Sequence, residues 1–445
     1  MKFLITVPLL LISCIAFSQT NKEERVYAEP VKTELIIPIK KEQFRDIHCK
    51  QRKQGGNPKV INGYLQFNGS MDGNRQVDPQ IAVGGGFVFH GSNSGLVIYD
   101  KEGNFLDGVP QSCFNKGIDP KLFYDLHNKV FGFDLWNPWD EEEKKPVNIA
   151  VSETSDPRGA WNIYPVSVPE GVDGGGIGFS KKWIGYSFPG GENKTFIMKM
   201  EQAKEGKTAS VYHFKGSLGS PVFTQDDIDD LYFFKIDKSN FIITRVTENE
   251  KGIPVSELVS KKPHELEHVD YPPKSPQKGT DQLTSSGDRN PKNIILQNGF
   301  IWFSQAINYK GNSAVQWHQI KLDGTIIQTG LIKNKRSNYI QTTIGVNKNN
   351  DVLIGFQEVN KDMYISPRMA FRYASDKPGT TRDIIRLGEG KGATDGMAWG
   401  DYSGTTIDGD NLMDLWTIQS IASPEGRGET LIVKVPFIEN SPPDD

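Results

Sequence analysis

Asp78-Pro79-Gln80-Ile81-Ala82-Val83 passes through three glycines into Phe87-Val88-Phe89-His90, and Gly95-Leu96-Val97-Ile98-Tyr99 follows. Each run is short, apolar and rich in β-branched or aromatic residues. Gly, Asn, Asp or Ser bounds each one, so the stretch reads as consecutive strands joined by tight turns. The unit recurs. Asp119-Pro120-Lys121-Leu122-Phe123-Tyr124 turns at His127-Asn128-Lys129 into Val130-Phe131-Gly132-Phe133, and Gly176-Ile177-Gly178-Phe179 precedes Trp183-Ile184-Gly185-Tyr186. A less regular fourth copy has Pro221-Val222-Phe223, Tyr232-Phe233-Phe234 and Phe241-Ile242-Ile243. The fifth joins Asn290-Pro291-Lys292-Asn293-Ile294-Ile295 to Phe300-Ile301-Trp302-Phe303. The sixth pairs residues 342–346 with 352–356, and the seventh pairs 402–407 with 412–416. Seven copies at roughly 40–60 residue spacing fit blades of four strands plus loops. No useful amphipathic helical period lies between them, which disfavours strand–helix alternation. A β-sandwich, the main rival, does not normally give seven similar units. The expected fold is all-β, a seven-bladed β-propeller over residues 61–437.

The ends read differently. Lys2 and the apolar run Phe3 to Ile12 lead to Ala16-Phe17-Ser18, a small–any–small cleavage site, so residues 1–18 read as a secretory signal peptide. Leu11-Ile12-Ser13-Cys14 also fits a lipobox, in which a lipidated Cys14 would tie the protein to a membrane. The first reading gives a secreted or periplasmic protein, the second a cell-surface lipoprotein. Residues 19–60 form an extension whose Thr33 to Ile39 is a candidate strand for closing the ring beside Thr430 to Val435, which would remove exposed sheet edges. Residues 438–445 read as a disordered tail. Past the signal, Cys49 and Cys113 either pair in an oxidising compartment or stand as isolated thiols. Charge is nearly balanced, 51 Lys+Arg against 55 Asp+Glu, which argues against nucleic acid as a partner. A monomer is expected.

Thr154-Ser155-Asp156-Pro157-Arg158-Gly159-Ala160-Trp161 and Ala374-Ser375-Asp376-Lys377-Pro378-Gly379-Thr380-Thr381 look like degenerate Asp-boxes, with the glycine displaced by one position. With Val77 to Gly84, Ser94 to Asp100, Val151 to Pro157 and Trp399 to Gly404, they give the chain a resemblance to secreted bacterial seven-bladed propellers of sialidase-like type, over about residues 60 to 437. The resemblance implies fold and export, and Asp-box aspartates that are structural. Most of that group carries no assigned activity. Other secreted propellers include sialidases and lyases of uronate-containing glycans, an analogy of fold only.

In a propeller the loops between strands two and three share one face with those leading into the next inner strand. That mapping gathers His90, the Asp134 to Asp140 segment with Trp136 and Trp139, Pro189 to Glu192, Asn308-Tyr309 and Glu358 to Arg368. It adds Asp78, Asp119, Asp173, residues 288–290, Tyr339, Gln341, Asp401 and Tyr402. Carboxylates, amides and rings converging on a cleft suit sugars, whose C–H faces stack while hydroxyls bond. The alternative is that these aspartates satisfy backbone amides and the tryptophans pack between blades. For β-elimination from a uronate, Arg289 would neutralise, His90 would be the base, and Tyr309 or Tyr402 the acid. For hydrolysis, the carboxyl pair would come from Asp78, Asp119 and Asp401. Trp136, Trp139, Tyr339, Gln341 and Arg368 would bind substrate. The full arginine set of a sialidase is not evident.

Two motifs mislead. His264-Glu265-Leu266-Glu267-His268 has the spacing of a zinc protease, but Pro263 precedes it, Pro272-Pro273 follow, and residues 260–287 read as a connection between blades. Zinc is therefore not expected. Asp408 to Asp414 suggests a calcium loop but lacks the closing glutamate, so a structural calcium ion is a minor alternative there. The expectation is an exported propeller that binds, and in one version cleaves, a polysaccharide on one face. Its rival is a non-catalytic glycan- or protein-binding adhesion module.

Overall fold

The computed structural model describes residues 27–51, 55–69, 76–114, 117–138, 146–168, 175–188, 194–237, 239–264, 266, 270–395 and 399–437. The expected signal peptide and Cys14, the tail, Trp139, Asp173, residues 189–192, and Glu265, Glu267 and His268 lie outside these residues. Among the described residues, regular helix is confined to Met200–Lys204 and a 3-10 turn at Gln111–Phe114.

Seven antiparallel ladders of at least four strands follow one another along the chain, the third and fifth joined through Phe223–Thr224 into one ten-stranded sheet. Their inner strands begin at Gln80, Ile118, Gly176, Ser220, Ile294, Asn338 and Gly404. Inner strands lie against one another around the axis, with Phe223–Thr224 making the junction to the fifth, and the seventh, Gly404–Ile407, returns to the first, Gln80–Gly84. Val83 and Asp408 form a parallel bridge at that junction. The sheets therefore close into a seven-bladed β-propeller.

Aromatic residues glue neighbouring blades. Phe89, Phe131, Phe133 and Trp161 are fully buried between the first two blades, with ring centroids 5.1–5.9 Å apart along the contacts Phe89–Phe131, Phe89–Phe133 and Phe133–Trp161. Burying each such side chain is worth about 1.5–3 kcal/mol. The sheets approach so closely that some positions admit no side chain. A Cβ on Gly84 of the first blade would sit 2.2 Å from the Tyr124 ring of the second.

The ring is closed by residues other than those expected. Tyr64–Asn68 pairs with Gly428–Val435 of the seventh blade, and Gly56–Ile61 adds a further strand outside it. Thr33 to Ile36 instead belongs to the strand Lys32–Ile36, which pairs with Ala209–Phe214 on the rim of the third blade. Tyr27–Ala28 caps the fourth blade at Ser256 and Glu257, and Ile39–Lys41 caps the second at Trp161 to Ile163. The extension is thus a strap running backwards over blades four, three and two. Cys49 then joins Cys113 beside the first blade, with Cα atoms 6.1 Å apart.

One blade is irregular. Ser220–Pro221 pairs with its own sheet at Phe234 and Phe233, but the inner strand breaks at Val222. Phe223–Thr224 leaves the sheet and lies in parallel between the inner strands of blades three and five, at Phe179 and Ile295. The stretch after blade four is more ordered than a plain connection. Its outer strand runs to Pro263, and Ser275–Gln277 pairs with Thr280–Thr284 as a hairpin.

Both degenerate Asp-boxes lie in turns between third and fourth strands. Asp156 is part-exposed and bonds Arg158 through its amide and guanidinium, and Asp376 accepts the Tyr373 amide and pairs with Arg382. Gly379 has a positive φ of 73°, whereas Gly159 does not.

Candidate functional site

The face on which inner strands begin, here the leading face, carries a dense set of tied polar residues. Asp78 precedes Pro79 with φ 45°, and Asp119 precedes Pro120 with φ 57°. Both are left-handed, a conformation that Asp and Asn tolerate better than most side chains. Asn93, at the turn between Phe87–Ser92 and Gly95–Asp100, holds both. Its Nδ2 donates to Asp78 Oδ2 at 2.8 Å and to Asp119 Oδ1 at 3.3 Å, and its Oδ1 accepts the Asp119 amide at 2.7 Å. Asp78 Oδ1 also accepts the Asp401 amide at 2.5 Å. Gln341 Nε2 donates to the Gly400 carbonyl, and Ser403 Oγ donates back to the Gln341 carbonyl. Lys121 Nζ extends the belt by donating to the Gly175 carbonyl at 2.6 Å. Hydrogen bonds therefore run round the axis from blade six through seven, one and two to three.

Burial dominates the electrostatics of this belt. Asp78 is pushed up to about 8 by burial, reinforced by the charges of Asp119 and Asp401. Burial also raises Asp134, against the pull of Lys121, whose amide it accepts at 2.9 Å. Burial, then Lys292, lowers the Lys121 ammonium, while Asp134, Asp119 and Asp401 oppose the shift. Tyr402 is held well above its ordinary value by burial and Asp119, and its hydroxyl donates to the Pro120 carbonyl at 3.3 Å.

The belt stops at blade three, and a cavity of about 140 Å³ opens over the arc of blades two to five. It lies where the fourth inner strand breaks. Lys121, Lys292, Asp288 and Asn290 line it, with the hydroxyls of Ser187, Ser217 and Ser220. Phe188, Pro221 and Pro291 supply an apolar wall. Among the described lining residues Asp288 is the sole acid.

Residues singled out from the sequence divide between belt, cavity rim and interior. Asp78, Asp119, Asp401 and Tyr402 come together, joined by Gln341, which is buried with φ 52°. Arg289 is half-buried and stacks over Tyr271 at 4.6 Å beside the cavity residues Asp288 and Asn290. Tyr309 ends the strand Phe300–Tyr309, where it is part-exposed, and its hydroxyl accepts from Lys333 at 2.7 Å. That hydrogen bond lowers its pKa.

The others sit inside ladders. His90 is fully buried in Phe87–Ser92, with Nδ1 3.1 Å from the Gln80 carbonyl, and has no open path to a bound sugar. Arg368 is fully buried, bonded to Glu358, Glu389 and the carbonyls of Pro367 and Gly388. Tyr339 packs edge-on against Phe356. Trp136 ends the strand Val130–Trp136 and packs on the core between blades two and three. For Tyr339 and Arg368 one cause is strand length, nine and ten residues in their strands. Several strands run to nine or ten residues, so positions expected in loops lie within the sheet.

The two motifs set aside have definite surroundings. His264 is buried, its ring 5.0 Å from that of Phe241. Between Asp408 and Asp410 stands the ammonium of Lys101. Among the described residues no group of three His, Cys, Asp or Glu side chains is placed to hold a metal ion.

No protein family and no curated protein matches the sequence. Solved structures similar to the chain are propeller-type proteins. A quinonprotein alcohol dehydrogenase-like protein from Bacteroides thetaiotaomicron shares 9% identity, covering 75% of this chain and 76% of that one, at TM-score 0.42. A polysaccharide lyase of family PL25, an ulvan lyase, shares 10% over 86% and 95%, at TM-score 0.36. The GH93 α-L-arabinofuranosidase of Fusarium graminearum shares 9% over 69% and 89%, at TM-score 0.29.

Proposed function

We propose that this chain is an exported propeller that binds a polysaccharide in the leading-face cavity over blades two to five. The observation that supports this is the lining itself. Hydroxyls, an amide and ammonium groups face the same space as a phenylalanine and two prolines, the mixture that fits a sugar's hydroxyls and C–H faces. The belt around blades six, seven, one, two and three is rigid scaffolding that leaves this arc open.

Of the two cleavage chemistries, β-elimination suits the lining better than hydrolysis by a carboxyl pair. Lysines can offset a uronate carboxylate, while the described lining offers one carboxylate, Asp288. The test is to screen the purified protein on a glycan array and then incubate it with the glycans it retains. A rise in ultraviolet absorbance from an unsaturated product supports elimination. Reducing ends without that absorbance support hydrolysis, and affinity with neither supports the non-catalytic binding module. Retention of no glycan overturns the proposal.

A further inference from the structure

Two cavity lysines occupy the same place in different copies of the repeat. Lys121 follows Asp119-Pro120, and Lys292 follows Asn290-Pro291. In both copies the chain enters an inner strand through a proline, and the next side chain lines the cavity. A lysine in this position carries a cost. Lys121 is 5% exposed, and burial and then the charge of Lys292 disfavour its ammonium form.

Their donors are poorly used. An ammonium group has three hydrogens to donate and accepts none. Lys121 Nζ makes one hydrogen bond, to the Gly175 carbonyl, and lies 5.4 Å from the Tyr402 ring centroid. Among the described residues no carboxylate is within ion-pair distance of it. The nearest partner of Lys292 is Asp288 Oδ2 at 3.9 Å, beyond hydrogen-bond length. Ser187 and Ser217 hydroxyls, 3.2 Å apart, and Asn290 are further polar groups on the same wall.

Resting on the glycan reading above, we infer that Lys121 and Lys292 form a subsite for an anionic substituent of the sugar, a carboxylate or sulfate ester. Such a group accepts several hydrogen bonds and donates none, which matches the unused donors. Charge-assisted bonds of this kind are roughly twice as strong as neutral ones, so the substituent sets the preference for acidic over neutral glycans.

Calorimetric titration tests this with four probes: tetragalacturonate, its fully methyl-esterified counterpart, a sulfated tetrasaccharide and sodium sulfate. The expected result is that an acidic tetrasaccharide binds roughly tenfold or more tightly than the ester, a difference of about 1.4 kcal/mol. Comparison of carboxylated and sulfated probes identifies the substituent. Lys292→Ala should bring the acid-to-ester ratio to within about threefold, by weakening the acid far more than the ester. Lys121→Met should do the same, and if its burial prevents folding, Lys292→Ala decides alone. Equal affinity for acid and ester, or a ratio that survives Lys292→Ala, overturns the subsite and leaves glycan binding standing. Sulfate binding that is lost in Lys292→Ala, with no oligosaccharide bound, upholds the subsite and overturns the glycan reading. Absence of binding by all four overturns both.

Discussion

Asp408 and Asp78 are both buried in adjoining blades at opposite ends of the ring, and their surroundings differ. Asp408 lies on the face where first and second strands turn back. Lys101 Nζ donates to its Oδ1 at 2.5 Å, Trp416 Nε1 donates to Oδ2 at 3.3 Å, and the Asp410 amide donates to Oδ1 at 3.0 Å. Nearby Asp410 accepts the amides of Gly85 and Gly86, and across the ring Asp226 accepts those of Asn298 and Gly299. Each of these two carboxylates reaches the tight turn of the neighbouring blade. Among the described residues no cation is within ion-pair distance of Asp78, and Asp119 and Asp401 are the charges that raise it. One end uses aspartate charge to join blades, and the other confines it against like charge.

The sharpest way to break this contrast is Asp408→Ala. It leaves the part-buried Lys101 with Asp410 alone and the Trp416 indole N–H without its acceptor, and should cost about 2–4 kcal/mol in denaturant unfolding. A loss below about 1 kcal/mol would mean that water replaces the carboxylate and that the two ends do not differ. Asp226→Ala should cost less, about 1–2 kcal/mol, because the two amides it frees are near solvent. Hydrogen exchange at Asn298 and Gly299 should quicken in that variant while exchange at Gly85 and Gly86 stays unchanged.

Asp78→Asn should have the smallest effect near neutrality, since Asn keeps an acceptor for the Asp401 amide and tolerates φ 45°. Its signature is pH dependence. The folded pKa of Asp78 is raised from 3.8 to about 8, so the folded protein holds this proton where the unfolded chain has lost it. The associated stability is complete below 3.8 and is lost as pH rises through 8. Melting temperatures at pH 6 and pH 9 should therefore fall further apart in the unaltered protein than in Asp78→Asn. Equal differences would show that Asp78 titrates normally.

Much of the ring was legible because blade strands carry local signals. Asp78 to Tyr99 and its six echoes declare strand, turn and strand within short windows, and glycine spaces the aromatic layers. The strap was not legible, since Thr33 to Ile36 finds its partner in residues 209–212, a pairing with no local trace. His90 and Arg368 were misplaced for another reason. Polar residues at the ends of apolar runs look like loop, yet their hydrogen bonds are met inside the sheet. Of the three cavity lysines, Lys121 and Lys292 had a visible signal, the repeated Pro-Lys at 120–121 and 291–292, and Lys235 had none.

The strap gives the molecule a chronology. Tyr27 to Lys41 is synthesised before all of its partners, which lie at residues 161–163, 209–213 and 256–257. Residues 64–68 must wait longer still, for 431–434. Contacts so distant along the chain form slowly, because each must first overcome the entropy of closing a long loop. The strap is thus fastened only after the sheets it crosses exist, and Gly428–Val435 completes the circle with a strand more than 350 residues before it.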